Sequence, residues 1–285
     1  MYRNDSVVRI RVKSRKRVTA LNSTGRPSIA GKVGLKPMRL LSKTPLFDLH
    51  NHTLASGHAY GTIRESAEAA AERGLAVLGF SEHAWTVTGA PSRSYFLNFK
   101  EIPSRIRGVR IVNGIEANIL NESGDIDVDE QLGSRLDFVI ASLHPSPYYS
   151  GSIAKKEIIR AYIETMRRNP FVRIIGHPED GRFPVDYRLL AEAASDRGVA
   201  LELNNSGLRE KHGRQNGAAN AEDLLEECAR CGAFVVMGSD SHWGGNAGAL
   251  ANCETLVEQT GFPKELVLNY RSDGLAFILR KPLEE

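Results

Sequence analysis

The chain has 285 residues, of which 41% are apolar and 25% are charged. This composition is ordinary for a globular chain with a sizeable core, and one barrel-sized domain is the simplest interpretation. No window approaches the roughly 18 apolar residues of a membrane helix, and three cysteines are too few for a disulfide framework. We therefore expect a soluble, cytoplasmic protein with reduced thiols and no membrane partner.

The charge is unevenly distributed along the chain. Residues 1–44 hold twelve Lys or Arg against one Asp, a charge of +11, so with a net charge of +3 the remaining residues carry −8. A body that binds an extended nucleic acid would carry its own basic face, and an acidic body argues against that partner.

Residues 1–44 are interpreted as a basic N-terminal extension, and residues 45–285 as the folded domain. The extension is rich in Arg and Ser and poor in acids. Three interpretations remain open for it: a transit peptide for organellar import, a solvated basic arm, or a start codon assigned too far upstream. We expect residues 1–37 to be disordered or mis-annotated.

From residue 46 onward, short apolar β-rich runs alternate with helical patterns, as in βα units around a parallel sheet. Helices are predicted at 62–73, 153–168, 186–197 and 218–231, and residues 117–131 are expected to form a β-hairpin with Ser-Gly at its turn. Seven strands with intervening helices predict an α/β fold, a TIM-like (β/α)7 barrel. The predicted strands are 46–49, 76–81, 109–115, 136–142, 172–176, 199–203 and 233–238.

The cysteines give little indication of function. Cys228 and Cys231 form a lone C-x-x-C at the end of the helix predicted at 218–231, where Gly232 is expected to cap it. Without a second pair nearby, we interpret the motif as structural.

Nine potential metal ligands lie at or near the ends of predicted strands. A single His there is more often a hydrogen-bonded structural residue, but the carboxyl ends of barrel strands converge on one mouth, which brings such residues together. The pattern predicts a multinuclear metal hydrolase site at the C-terminal strand ends, and it omits His212, which lies in a polar loop. The nine residues are His50, His52, His58, His83, Glu116, His144, His177, Asp240 and His242.

The order of these motifs resembles the PHP (polymerase and histidinol phosphatase) family, and most closely its small stand-alone phosphatases. The resemblance covers about residues 46–280 and rests on Asp-Leu-His-Asn-His-Thr, Ser-Glu-His, Gly-Ile-Glu-Ala-Asn, Ser-Leu-His, Gly-His-Pro, Leu-Glu-Leu-Asn-Asn-Ser and Gly-Ser-Asp-Ser-His. It implies a distorted seven-stranded barrel with a trinuclear metal centre, usually of zinc, with manganese or iron in some relatives.

The resemblance also implies how three divalent ions divide the nine ligands. The first ion would be held by His50, His52, Glu116 and Asp240, the second by Glu116 as a bridge with His144 and His177, and the third by His58, His83 and His242.

The expected chemistry follows from these ligand types. Imidazole suits zinc, manganese and iron, and three divalent ions outweigh two carboxylates, so the centre favours an anionic substrate. We expect attack by metal-bound hydroxide on a small phosphate monoester. Glu116 and Asp240 are the expected catalytic carboxylates, and whether Asp240 or a histidine protonates the leaving group stays open.

Weaker expectations concern residues around the centre. Asp48 either orients a ligating imidazole or accepts backbone hydrogen bonds. Asn204 and Asn205, after the sixth predicted strand, either contact substrate or serve a turn. Arg209 and Arg214 either clamp phosphate or belong to a solvated charged loop.

Three alternative functions remain at this point: an amidohydrolase-like metal hydrolase, a nuclease for short oligonucleotides, and a non-catalytic metal-binding domain. An amidohydrolase commonly bridges two metals through a Lys, whereas this chain offers Glu116 and three additional histidines. The sequence does not select among histidinol phosphate, a sugar phosphate and a nucleotide as substrate, and it leaves a homo-oligomer open.

Overall fold

The computed structural model describes residues 41–209, 211 and 213–279. The expectation for residues 1–37 and the loop position of His212 lie outside the described residues.

A single eight-stranded sheet forms the centre of the described chain. Seven strands run parallel in the order β1-β2-β4-β5-β6-β7-β8, and β3 pairs antiparallel with β4 at the side of this path. The predicted seven-stranded α/β barrel is therefore confirmed, with β3 as an addition. The strands are β1 Phe47–Asp48, β2 Val77–Phe80, β3 Arg105–Ile106, β4 Val109–Asn118, β5 Phe138–Ser142, β6 Ile174–Ile175, β7 Ala200–Asn204 and β8 Val235–Gly238.

Helices connect most of the parallel strands. Thr62 and Glu65 form a capping box at the start of α1, while Gly198 and Gly232 end α5 and α6 in the left-handed conformation that suits glycine. These local signals lie at the ends of three of the four helices predicted from periodicity, and all four begin and end within two residues of their observed bounds. The helices are α1 Ile63–Glu72, α2 Arg93–Leu97, α3 Glu130–Gly133, α4 Lys155–Arg168, α5 Tyr187–Arg197, α6 Gly217–Cys231, α7 Ala251–Thr260 and α8 Gly274–Ile278.

The region predicted as a hairpin pairs less extensively than expected. Strand β4 continues through Asn118, and the antiparallel pairing beyond it consists of one bridge between Ile119 and Ile126 around a turn with Gly124 at φ 73°. The chain then enters α3. The turn position was predicted correctly, but the second strand is absent from the described residues.

Aromatic and aliphatic side chains fill the barrel interior below the mouth. The ring of Phe138, on β5, reaches over two glycines of the neighbouring strands: a Cβ on Gly114 of β4 would lie 2.5 Å from that ring, and one on Gly79 of β2 would lie 2.9 Å from it. Val112, Ile174 and other strand residues complete this cluster. The two glycines thus make room for a ring that closes the barrel beneath the site.

Backbone bridges and side-chain hydrogen bonds close the gap between β1 and β8, the first and last strands of the parallel path. At the mouth, parallel bridges join the segments that follow the two strands. Below the mouth, the buried side chain of Asn269 donates to the carbonyl oxygens of Phe47 (2.8 Å) and Met237 (2.9 Å) and accepts from the Met237 NH (2.7 Å). Asp48 adds a further link, because its Oδ1 accepts from the Ser239 NH at 3.1 Å. Side chains therefore take part of the place of the ladder that an eighth parallel strand would provide.

Among the described residues, no helix combines the length and apolar character that crossing a membrane would require.

Asn269→Leu should destabilise the barrel by about 2–4 kcal/mol, because it leaves buried backbone groups on β1 and β8 without partners at about 1–3 kcal/mol each. Urea unfolding followed by circular dichroism measures the change in the free energy of unfolding. Asn98→Ala, at an exposed position, serves as the control and should stay within about 0.5 kcal/mol of wild type. Equal stability of the two variants would contradict the role of Asn269 in closing the barrel.

Candidate metal centre

The nine predicted ligands meet at one mouth of the barrel. Parallel strands place them there because their carboxyl ends share one edge, and each ligand lies late in a strand or in the loop after it. His58, the most exposed, reaches the group through its Nε2, which lies 3.2 Å from the Nε2 of His242. The mouth is thus lined by imidazoles that follow five different strands, with Glu116 on a sixth.

The carboxylate of Glu116 lies at the centre of the group. It is 1% exposed, and β4 carries it on the inner face of the barrel. Its oxygens lie between 2.7 and 3.5 Å from ring nitrogens of five histidines, which are His50, His52, His83, His144 and His177.

Asp240 forms a second point of convergence. Its Oδ1 lies 3.6 Å from His50 Nε2, 3.4 Å from His52 Nε2 and 3.4 Å from His242 Nδ1. Its Oδ2 accepts hydrogen bonds from Arg214 at 2.9 Å and from Asn204 at 3.2 Å. One oxygen therefore faces the histidines while the other is held by the barrel wall.

The donor set and its spacing fit divalent metal ions. Two ligands of a tetrahedral ion with bonds of 2.0–2.1 Å lie about 3.3 Å apart, and most of the distances above are within a few tenths of an ångström of that value. His50 Nε2, His52 Nε2 and Glu116 Oε2 are buried without a hydrogen-bond partner. Buried polar atoms are rarely left unpaired, and a bound divalent ion would satisfy these three.

Three groups of three residues could each hold an ion. In each group, one ligand atom per residue lies within 4.8 Å of the others. The groups are His52 with His83 and His242, His50 with His52 and Glu116, and His83 with Glu116 and His144.

The carboxylate of Glu202 orients the ring of His50 by binding its Nδ1, the nitrogen directed away from the mouth. Its Oε1 accepts from His50 Nδ1 at 2.7 Å, and its Oε2 accepts from the backbone NH of His177 at 2.8 Å and from Asn204 at 3.0 Å. Binding Nδ1 in this way leaves Nε2 directed at the mouth, which is the usual arrangement behind a ligating histidine.

Two further polar groups orient other histidines. Ser56 Oγ lies 3.1 Å from His52 Nδ1 and donates to the buried Glu82 at 2.6 Å. Asn118 Oδ1 accepts from His144 Nδ1 at 2.6 Å. In both cases the inward nitrogen is Nε2, so the ring orientation is fixed by the protein before any ion binds.

The electrostatics of the mouth keep its carboxylates ionised. Burial alone would raise the pKa of Glu116, but the neighbouring imidazoles, His50 and His144 first, hold that pKa well below its usual value. Burial opposes ionisation of Asp240 in the same way, and His50 with Arg214 holds the pKa of that carboxyl well below its usual value. Both groups are therefore charged and able to bind cations.

Two of the nine residues have strained backbones. His177 has φ 32° and Asp240 has φ 49°, in the left-handed region that costs a non-glycine residue about 1–3 kcal/mol. The conformation turns His177 Nε2 to within 3.0 Å of Glu116 and aims Asp240 at the histidines. Strain of this kind concentrates at functional sites.

The weaker expectations have mixed outcomes. Of the two alternatives for Asp48, the structure shows the backbone one: its oxygens accept the backbone NH groups of His50, Ser239 and Gly248. The carboxylate that orients an imidazole is Glu202, which the sequence analysis did not single out. Its position two residues before Asn204 on one strand was the available signal, because alternate residues of a strand share a face.

The polar residues after β7 separate into two sets. Asn205 is corrected to a structural role, since its side-chain oxygen accepts from the backbone NH of Asn252 and Cys253 and so caps α7. Arg209 is exposed and lines a cavity beside α7 that includes none of the nine ligands. Asn204 and Arg214 do reach the centre, through Asp240.

The C-x-x-C motif lies at the end of α6 and belongs to none of the metal-ligand groups found among the described residues. Cys228 is buried, Cys231 is half-buried, and both are free thiols, as is Cys253. Burial raises the pKa of the Cys228 thiol, which makes it unreactive.

A β/α barrel with a carboxylate and histidine cluster at the carboxyl ends of its strands defines a metal-dependent hydrolase. The model of the PHP domain matches residues 48–206 of the chain. A probable phosphatase of Clostridium acetobutylicum is 35% identical over 224 residues, which cover 79% of this chain and 90% of the relative. One of Acetivibrio thermocellus is 37% identical over 222 residues, covering 78% and 90%. The chain therefore belongs to the PHP domain family, and it is an enzyme of the phosphatase class that binds divalent metal.

A solved structure supports the fold. The histidinol phosphate phosphatase of Lactococcus lactis, in complex with zinc, L-histidinol and phosphate, superposes with a TM-score of 0.56 at 19% identity. The match covers 84% of this chain and all of that one.

Glu202→Gln should weaken metal binding by about 10–100-fold while leaving the fold intact, because the amide keeps the shape but removes the charge that orients and polarises His50. Competition with a chelator of known affinity measures the change. Glu226→Gln, on the exposed face of α6, provides the matched control and should bind metal like wild type. Wild-type affinity in Glu202→Gln would show that the carboxylate has no role behind the centre.

Proposed function

We propose that the protein hydrolyses a small phosphate monoester at a trinuclear divalent-metal centre held by the nine side chains of the mouth. The observation that carries the proposal is the position of Glu116, one buried carboxylate within 3.5 Å of ring nitrogens from five histidines. A buried anion surrounded by imidazoles in this way is suited to bridge cations.

The proposed division of ligands gives each ion at least three protein groups. His50, His52, Glu116 and Asp240 would hold the first, Glu116, His144 and His177 the second, and His58, His83 and His242 the third. Seven imidazoles with two carboxylates favour zinc, with manganese and iron as alternatives. Bound ions of this kind lower the pKa of coordinated water and neutralise phosphoryl oxygens as charge develops.

The protein's own groups fix the geometry around those ions. Asp240 is held in place through Oδ2 by Arg214 and Asn204, so its other oxygen keeps one orientation toward His50 and His52. We assign Glu116 to joining two ions and Asp240 to orienting the attacking group. Pre-organised charges of this kind stabilise a transition state without further rearrangement.

Arg214 is the proposed contact to the phosphoryl group. Its side chain is 15% exposed, and its guanidinium lies between Asp240 (2.9 Å) and Asp180 (3.5 Å) at the edge of the centre. A planar guanidinium held at both sides presents its remaining NH groups in a fixed direction, which suits a tetrahedral oxyanion. Arg209 has no such placement.

Two alternatives are less well supported by the site. The amidohydrolase-like reading expects a Lys between two metals, and Glu116 occupies the central position instead. An extended nucleic acid is disfavoured by the −8 charge of residues 45–285. Release from short oligonucleotides would favour the nuclease, and release from no ester would direct the test to amide substrates.

The central test is phosphate release from monoesters, diesters, nucleotides and short oligonucleotides by the full chain. Activity on monoesters should disappear on metal stripping and return with zinc or manganese, and Glu116→Gln should lower kcat by about a thousandfold. Metal analysis of each preparation provides the control. Confirmed loading with three ions and no release from any ester would overturn the phosphatase proposal, and amide substrates would then be tested.

Arg214→Gln should lower kcat/KM for a phosphate monoester by about a hundredfold, because it removes the charge nearest to the proposed phosphoryl position. Arg209→Gln removes the same charge from the same loop at an exposed position and should leave kcat/KM unchanged. Metal content is measured in both variants. Similar losses in the two would indicate a general effect of loop charge and not a contact made by Arg214.

A further inference from the structure

A buried carboxylate, that of Asp127, lies behind the metal centre. Its side chain is 9% exposed, and it follows the turn after β4, where Ile119 and Ile126 form an antiparallel bridge. The backbone NH of Asp127 also donates to the carbonyl oxygen of Asn118, at the end of β4, at 3.3 Å. The turn therefore returns an acidic side chain to the strand that carries Glu116.

Asp127 accepts hydrogen bonds from two neighbours, Asn118 and Thr86. Its Oδ1 accepts from the backbone NH of Asn118 at 2.8 Å, and its Oδ2 accepts from Asn118 Nδ2 at 2.7 Å. The hydroxyl of Thr86, on the loop after β2, also donates to Oδ2. Burial raises the pKa of the Asp127 carboxyl, and these hydrogen bonds limit the rise because they favour the charged form.

The amide of Asn118 joins this carboxylate to a metal ligand. Asn118 Nδ2 donates to Asp127 Oδ2 and, at 2.9 Å, to Thr86 Oγ1. On the other side, Asn118 Oδ1 accepts from His144 Nδ1 at 2.6 Å. An ionised carboxylate can only accept, and the Thr86 hydroxyl gives its single proton to Asp127. Both neighbours therefore require the NH2 end of the amide, which leaves its oxygen for His144.

The oxygen of Asn118 determines which nitrogen of His144 carries the proton. A neutral imidazole has one NH, and an acceptor beside Nδ1 places the proton there. Nε2, which lies 3.5 Å from Glu116 Oε1, then keeps its lone pair for a metal ion. If the amide were reversed, its NH2 group would face Nδ1, the proton would move to Nε2, and the ring could not bind an ion through Nε2.

We propose that Asp127 is a positioning residue that sets the tautomer of His144 through the amide of Asn118. Its negative charge acts on the ligand through a chain of hydrogen bonds that runs from carboxylate to amide to imidazole. Glu202 binds His50 directly, whereas Asp127 acts through an intermediate side chain, so we expect a smaller effect on metal affinity. This assignment rests on the proposed role of His144 as a metal ligand.

The first test measures the tautomer of His144. Nitrogen NMR spectra of the imidazoles are recorded on the metal-free full chain at mildly alkaline pH, and the signals of His144 are identified by their absence in His144→Gln. The wild-type protein should carry the proton on Nδ1. Asp127→Asn introduces an amide that can donate to Asn118 Oδ1, which allows the Asn118 amide to reverse, so a large share of the His144 rings should carry the proton on Nε2.

A second test measures metal affinity and exchanges the two side chains. In competition with a chelator, Asp127→Asn should weaken the binding of the ion held by His144 by about tenfold. The double variant Asn118→Asp/Asp127→Asn keeps the net charge and should restore affinity to within about twofold of wild type, because a carboxylate at position 118 accepts from His144 Nδ1. Asp125→Asn, which removes a charge paired with Arg168 in the same turn, is the control and should bind metal like wild type.

The outcomes distinguish the positioning role from a merely structural one and from the proposed function. A proton on Nδ1 of His144 in both the wild type and Asp127→Asn would overturn the positioning role, as would a loss of affinity that the double variant does not restore. An equal loss in Asp125→Asn would also overturn it, because the effect would then belong to the charge of the turn. A moved proton in Asp127→Asn, with no hydrolysis of any ester by the metal-loaded wild type, would support the positioning role and refute the phosphatase proposal.

Discussion

The rest of the structure depends on the burial of one carboxylate, that of Glu116, among imidazoles at the mouth of the barrel. An isolated buried charge is strongly unfavourable, and it persists only with compensating charge and hydrogen bonds. The neighbouring imidazoles supply part of that compensation, and the ion-binding geometry supplies the remainder once metal is present. Binding free energy from the ions then becomes folding free energy for this end of the barrel, so the site and the stability of the fold are coupled.

An outer layer of polar side chains, which lies behind the histidines, fixes the rings that surround Glu116. Glu202, Ser56 and Asn118 each bind the Nδ1 of a different histidine, and so they direct Nε2 toward the centre. They come from three separate parts of the chain, which only the closed barrel brings together. Closure in turn relies in part on Asn269, whose amide joins β1 to β8 three residues before the ligands His50 and Asp240. The geometry of the mouth therefore depends on a hydrogen-bonding residue that touches none of the ligand side chains in the described structure.

Much of the architecture was predictable because the relevant signals are local. Strand ends followed by His, helix caps such as Thr62 and stop glycines such as Gly198 are determined within a few residues. The outer layer was less predictable, because the partner of a buried carboxylate depends on tertiary packing. Asp48 and Glu202 are both strand acids near the mouth, yet one binds backbone NH groups and the other binds His50. Asn204 and Asn205 are adjacent, and successive side chains at a strand end point in opposite directions. Asn204 therefore binds Asp240, whereas Asn205 accepts from the backbone of α7.

The ring of Phe138, which lies over Gly79 and Gly114 beneath the centre, has a consequence for the order of product release under the proposed function. Because the barrel interior is filled there, a phosphate monoester would enter and its products would leave through the mouth. The organic alcohol, on the outer side of the phosphoryl group, would have to leave before inorganic phosphate. Phosphate would then compete directly with incoming ester for the free enzyme, and turnover would be sensitive to the phosphate concentration of the surroundings.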